Sequence, residues 1–325
     1  MMMKNVKTRN ADRIPEMLIK TVSFFAVLTI IFIFFFVFSK AWPVFRESGI
    51  EYFTTTGFDT QISEAFYASS DEPVLKFGML GVIMGTLVST VLSVAIATVL
   101  GVGSAIAIVE LASKRISGVL TAIVRLLAAI PSVVFGLIGI MTVVPLVEKL
   151  FITVDMQIEF IQYFQMTGRN LLSSVIVLTF MIVPMIISLS IDALKSVPNN
   201  QREVGFAFGM SHFRVIWKIL LPAARSGITA SIILATGRGI GEAIAVSMVC
   251  GGIGLVPNPG FGFASLLAPV LPLSAAIVNK SEAMSVASVE SALFSCGAIL
   301  LVFGAVLSIA ARMVESHLRR KAGYR

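Results

Sequence analysis

P-N-N-Q-R-E-V-G-F-A-F-G-M-S-H-F-R-V-I-W-K-I-L-L-P, Pro198 to Pro222, stands between two long apolar runs. Its punctuation predicts a pair of short helices. Pro198 suits the first turn of a helix, where its missing N–H costs nothing. Gly209 suits a C-terminal cap or a sharp turn. Ser211 can cap a second helix running towards Leu221, and Pro222 is expected to end it. Apolar Phe206, Phe208, Phe213, Ile216 and Trp217 mix with Arg202, Glu203, Arg214 and Lys218. An amphipathic hairpin of this kind fits a partner's groove or lies on a membrane surface.

The runs on either side decide which environment the hairpin borders. Of the 325 residues, 57% are hydrophobic and only 13% charged, whereas a soluble domain carries about 25% charged residues. A helix needs about 20 apolar residues to cross a bilayer. Six segments qualify: 18–41, 78–109, 117–146, 171–193, 228–252 and 291–312. Lipid offers no hydrogen-bond partners, and the segments lack strict alternation, so they are helices and not barrel strands. The expected fold is all-α and polytopic. A transmembrane domain over 18–313 contains the 198–222 loop, between short tails at 1–17 and 314–325. The first apolar segment is longer than a signal-peptide core and ends in Ser39-Lys40-Ala41-Trp42-Pro43, so it reads as a retained span.

Basic residues set the orientation. Seventeen Lys and Arg fall in the N-terminus, the 110–116 and 194–227 loops and the C-terminal tail, among them Lys4, Lys7, Arg9, Arg13, Arg319, Arg320, Lys321 and Arg325. Six fall in the opposite loops. Both termini are therefore expected in the cytoplasm. The first external loop is acidic, with Glu47, Glu51, Asp59, Glu64, Asp71 and Glu72. The third, about 253–290, is rich in Gly and Pro. Its apolar part, Ala264 to Val278, is too short to span, so it is either re-entrant or packed over the helix ends.

The net charge of +7 is explained by this membrane pattern and does not indicate nucleic acid. No G-x-x-x-x-G-K-[ST] is present, so a P-loop ATPase site is not expected in this chain. His212 and His317 do not assemble with other residues into a metal cluster or triad. Cys250 and Cys296 lie in or beside apolar runs and read as lipid- or core-facing thiols, with a disulfide as the lesser alternative.

Two charges do demand an account. Arg238 and Glu242 lie inside T-G-R-G-I-G-E-A-I-A, Thr236 to Ala245, within the fifth apolar run. Each costs roughly 2.5–3.5 kcal/mol near mid-bilayer. Four residues apart, they can share a helix face and pair. A buried ion pair and a polar path through the membrane both remain open, because Gly237, Gly239 and Gly241 suit close packing and bare backbone alike. Arg125, near the end of the third run, reads as snorkelling to the interface. Pro131 and Gly136 are expected to kink or loosen that run.

The 198–222 loop resembles the E-A-A-x3-G-x9-I-x-L-P loop of ABC-importer permeases. Glu203, Gly209, Ile219, Leu221 and Pro222 match at their spacing, while Val204 and Gly205 replace the two alanines. Ala41-Trp42-Pro43, Leu126 to Gly136 and Gly237 to Val246 are similar to the PstC family of phosphate permeases. The resemblance implies a type I importer permease fold with cytoplasmic coupling helices. It implies pairing with a second, PstA-like permease subunit, a PstB-like ATPase dimer that uses the ATP, and an external PstS-like phosphate-binding protein. This chain would bind membrane lipid and no cofactor of its own. Glu203, Gly209, Ile219, Leu221 and Pro222 would couple to the ATPase, and Arg238 and Glu242 would line the substrate path. Arginine's fork fits a phosphate edge, and Glu242 can accept a hydrogen bond from a P–O–H that sulfate lacks. A permease for sulfate or molybdate is the near alternative. A stand-alone secondary transporter is more distant, since no internal repeat is seen.

Overall fold

The computed structural model describes residues 10–68 and 73–321, with side chains over 15–68 and 73–316. Lys4, Lys7, Arg9, Asp71, Glu72 and Arg325 lie outside the described residues. The side chains of Arg13, His317, Arg319, Arg320 and Lys321 lie outside the described side chains. Ten helices carry the argument. They are α1 (Asn10–Ser48), α2 (Leu80–Leu111), α3 (Lys114–Ala128), α4 (Ser132–Phe151), α5 (Leu171–Lys195), α6 (Asn199–Ala207), α7 (His212–Gly241), α8 (Ile244–Val249), α9 (Leu273–Asn279) and α10 (Ala287–Lys321). Among the described residues, six of them (α1, α2, α4, α5, α7 and α10) are long and apolar enough to cross a membrane.

Helix α5 is the axis of the bundle. Two thirds of its most apolar stretch (67%) is buried, against none of that in α1, which packs on α10 near its C-terminal half and is otherwise open. The main core gathers Leu178, Ile182 and Ile186 of α5, Leu273 of α9 and Leu293 of α10 with Tyr52, Phe58 and Phe77. A second core at the hairpin end gathers Ile191 and Leu194 with Val215, Ile216, Leu220 and Ala224. Small residues set the helix crossings. Where α7 crosses α5, a methyl group at Gly227 would lie 2.5 Å from Ala193 Cβ, and Ser190 and Ser231 hydroxyls hydrogen-bond at 3.1 Å.

Three expectations are corrected. The run 117–146 is not one span. Helix α3 stops at Ala128 and α4 begins at Ser132. Pro131 lacks an N–H and disfavours helical geometry in Ile130 before it. The run 228–252 is also not one helix, because α7 ends at Gly241 and Glu242 is extended, at φ −72° and ψ 110°. Finally, Pro222 does not end a helix: α7 runs unbroken through it from His212 to Gly241. A proline ring clashes with the carbonyl four residues earlier, here Lys218. Lys218 lies in a π turn, Ile216–Leu220, which widens the helix at that place. Pro145 sits in the same relation to a π turn at Gly139–Val143.

The segment 264–278 lies inside the bundle. Leu267, Val270, Leu271, Leu273, Ala275 and Ala276 are fully buried. Val270 N donates to Cys250 C=O at 2.8 Å, Leu171 N to Ala268 C=O at 3.0 Å, and Leu273 N to Thr86 Oγ1 at 2.8 Å. Thr86 is six residues into α2, about 9 Å below its start. Gly81 and Gly254 touch so closely that a side chain at Gly81 would collide with the Gly254 carbonyl. Asp59 closes this end, accepting from Gly254 N at 2.6 Å and pairing with Lys280 at 3.1 Å. Cys250 and Cys296 are free and buried.

Candidate functional site

Two places carry chemistry, and α7 joins them. The first is the hairpin. Pro198 precedes α6 in an extended conformation. The helix ends with Gly209 at φ +69°, in the left-handed region. Gly209 N donates to Phe206 C=O at 2.9 Å and Met210 N to Gly205 C=O at 3.2 Å, the paired bonds of a Schellman cap. Ser211 is extended at the start of α7, but its hydroxyl makes no capping bond. Gly205 admits Ile219 and Val215 of the second limb: a Cβ there would lie 2.6 Å from Ile219 Cδ1. Ile219 is thus a packing residue between the limbs, and Leu221 packs on the hairpin-end core. Glu203 is exposed, and so are Val204, Phe206, Phe208, Phe213 and Trp217. Leaving this many large apolar and aromatic side chains in one patch is a property of contact surfaces.

The second place is the far end of α7. Arg238 is half-buried and lies three residues before the helix ends. Gly239 packs against Thr90 of α2, where a Cβ would come within 3.3 Å. Thr90 is ten residues into α2, about 15 Å from its start. Gly237 faces Leu307 of α10, and Gly241 faces open space. Glu242 is 9% exposed. Its Oε1 accepts from Ala245 N at 3.1 Å, so the carboxylate caps α8. Ser274 of α9 donates to the Glu242 carbonyl at 2.7 Å. The i, i+4 pair expected between Arg238 and Glu242 is absent because the helix that would align them breaks between the two. Among the described residues, Arg238 has neither a hydrogen bond nor an ion pair.

Buried hydroxyls of α2 surround this region, at Thr86, Ser89, Thr90 and Ser93. Thr86, Ser89 and Ser93 donate to carbonyls one turn back, and Ser93 also reaches Val175 C=O at 3.1 Å. They stay satisfied within the bundle. Arg125 does not snorkel alone; it pairs with Asp192 of α5 at 2.8 Å.

Sequence reasoning missed three residues. Thr86 and Ser274 hold the buried 264–278 segment and the break, and hydroxyls in apolar runs carry no distinguishing local signal. Glu110, at the end of α2, pairs with Arg202 of the hairpin at 2.8 Å. An acidic residue closing an apolar run, opposite a basic hairpin, was the available clue.

Comparison with known proteins places these features in a family. The model of the family described as "binding-protein-dependent transport system inner membrane component" matches residues 97–320. A probable ABC transporter permease protein, YqgH of Bacillus subtilis, is 35% identical over 248 residues, 76% of this chain and 74% of that protein. The phosphate transport system permease protein PstC 1 of Mycobacterium tuberculosis is 31% identical over 298 residues, 87% of this chain and 86% of that protein. Among solved structures, a bacterial alginate ABC transporter aligns with a TM-score of 0.52 at 14% identity, over 96% of this chain and 97% of that one. The MetNI methionine ABC transporter, in inward-facing conformations, aligns with a TM-score of 0.51 at 17% identity, over 72% of this chain and 93% of that one. These last two likenesses concern the fold.

Proposed function

Because the chain belongs to the family of binding-protein-dependent transport system inner membrane components, we propose that it is one of two permease subunits of an ATP-driven phosphate importer. The single observation that carries the mechanism is α7. One unbroken helix begins in the exposed hairpin and carries Arg238 in its last turn, ending at Gly241. The hairpin is the docking surface for an ATPase subunit of the PstB type. Glu203 and the exposed aromatics face that partner, while Gly209, Ile219, Leu221 and Pro222 fix the hairpin's shape. ATP is bound and hydrolysed there, on the partner. With the basic ends and loops in the cytoplasm, the 253–290 loop faces outward, towards an external phosphate-binding protein of the PstS type. A PstA-like permease completes the pathway.

Phosphate as substrate is supported by the relatives' names and by the chemistry of the far end of α7. Arg238 presents five donors in a planar fork, none of them engaged among the described residues. Glu242 has one oxygen committed to Ala245 N and a second that can accept from the proton phosphate keeps near neutral pH. A carboxylate close to the anion also limits how tightly it is held, as a pathway that must release its cargo requires.

The test is uptake of radiolabelled phosphate into proteoliposomes holding this chain, its permease partner and the ATPase, with binding protein outside and ATP inside. ATP-dependent uptake that excess sulfate does not inhibit, and that Arg238→Gln abolishes, is the expected result. Uptake that survives Arg238→Gln removes Arg238 from the pathway. A complex that hydrolyses ATP and moves sulfate or molybdate instead corrects the substrate.

A further inference from the structure

We propose that Glu110 is the positioning residue that clamps the hairpin to α2, so that hairpin movement reaches the membrane centre along α2 as well as along α7. The inference rests on reading the hairpin as the ATPase docking element. Glu110 lies in the π turn, Ala107–Leu111, that ends α2, and its side chain is only 7% exposed. Oε1 accepts from Arg202 Nη2 at 2.8 Å, and Oε2 lies 3.6 Å from His212 Nε2. Arg202 is on α6 and His212 opens α7, so one carboxylate bonds the first limb of the hairpin and lies beside the second. Arg202 also donates to Asn199 Oδ1 at 2.8 Å and to Leu194 C=O at 3.4 Å, which ties the first limb to the end of α5.

Ion pairs in open water are weak, but this one is largely out of it. A carboxylate that loses its guanidinium there keeps its desolvation cost. The other end of α2 makes the clamp consequential. Thr90 precedes Glu110 by twenty residues, about 30 Å of helix. Thr90 touches Gly239 beside Arg238, and Thr86 holds Leu273 of the buried 264–278 segment. A stiff helix fixed at one end to the hairpin and touching both parts of the site at the other is a physical route for coupling.

The experiment uses the reconstituted complex described above and reads phosphate moved per ATP hydrolysed. Glu110→Gln, nearly isosteric with the native residue, is expected to lower that ratio at least about fivefold, with the ATPase still co-purifying and hydrolysing ATP. The exchanged pair, Glu110→Arg with Arg202→Glu, is expected to restore part of the loss. A second readout needs no transport. In the purified full chain, Glu110→Gln should speed hydrogen exchange over residues 199–215 and leave the spanning helices outside that stretch unchanged. An unchanged ratio overturns the proposal even if exchange quickens, because Glu110 is then a structural contact only. A lowered ratio without faster exchange, and not restored by the exchanged pair, overturns it as well. A wild-type complex that hydrolyses ATP but moves no phosphate overturns the proposed substrate instead. The exchange measurement, with the variant's ATP hydrolysis rate, then decides the clamp.

Discussion

At the scale of single residues, Glu242 has two separable jobs. As a cap it needs an oxygen acceptor for Ala245 N; as a partner for a protonated anion it needs charge. Glu242→Gln keeps the acceptor and removes the charge. It should leave thermal stability of the purified chain unchanged while letting sulfate compete for uptake. Glu242→Ala removes both and should in addition lower stability by about 0.5–2 kcal/mol, the usual effect of losing a cap. Equal melting temperatures for Gln and Ala would show that the cap contributes nothing. Gly209 makes the complementary case for backbone. With φ at +69°, Gly209→Ala should cost about 1–2 kcal/mol from Cβ strain, although open space surrounds the position. Its measure is the thermal midpoint of the purified chain. Arg238 and Glu242 are legible in the sequence because charge in an apolar run is conspicuous. Glu110 is marked only as an acid closing an apolar run, and its pairing is not legible because its partner Arg202 is 92 residues away.

At the scale of elements, the apolar runs are legible because a bilayer requires long uninterrupted hydrophobicity, and breaks in the helices are not. Pro131 breaks the third run and Pro222 leaves the seventh helix whole, yet both are prolines in apolar surroundings. The difference is the π turn ahead of Pro222. It is a hydrogen-bond shift with no residue signature of its own. Pro222→Ala tests this account. In an ordinary helix interior, removing a proline recovers roughly 3 kcal/mol. Here the ring is accommodated and restricts the unfolded chain, so the substitution should instead lose about 0.4–1 kcal/mol. A clear rise in melting temperature would mean that the helix is strained at Pro222. The break after Gly241 is hidden for a related reason: Glu242 and Ala243 are good helix formers, and a tertiary bond from Ser274 and a local one from Ala245 N hold Glu242 out of the helix.

At the scale of the whole molecule, the buried 264–278 segment hangs on few polar contacts. Thr86→Val removes the acceptor for Leu273 N and leaves a buried N–H unpaired. That should destabilise the chain by about 1–3 kcal/mol and raise hydrogen exchange around Leu273 before the core of α5 responds. If exchange rises uniformly instead, the segment is not a separate unit. Helix α7 has a mechanical property that follows from where it crosses α5. Gly227 and Ser231 pin it at Ala193 and Ser190, close to halfway along its length. The hairpin arm from His212 to Gly227 is about 22 Å and the opposite arm, to Gly241, about 21 Å. A rod tilting about such a pivot is a see-saw with equal arms. A push that drives the hairpin inward swings the Gly241 end outward by nearly the same distance, and Arg238, closer to the pivot, by about three quarters of it, so the direction of motion inverts across the membrane.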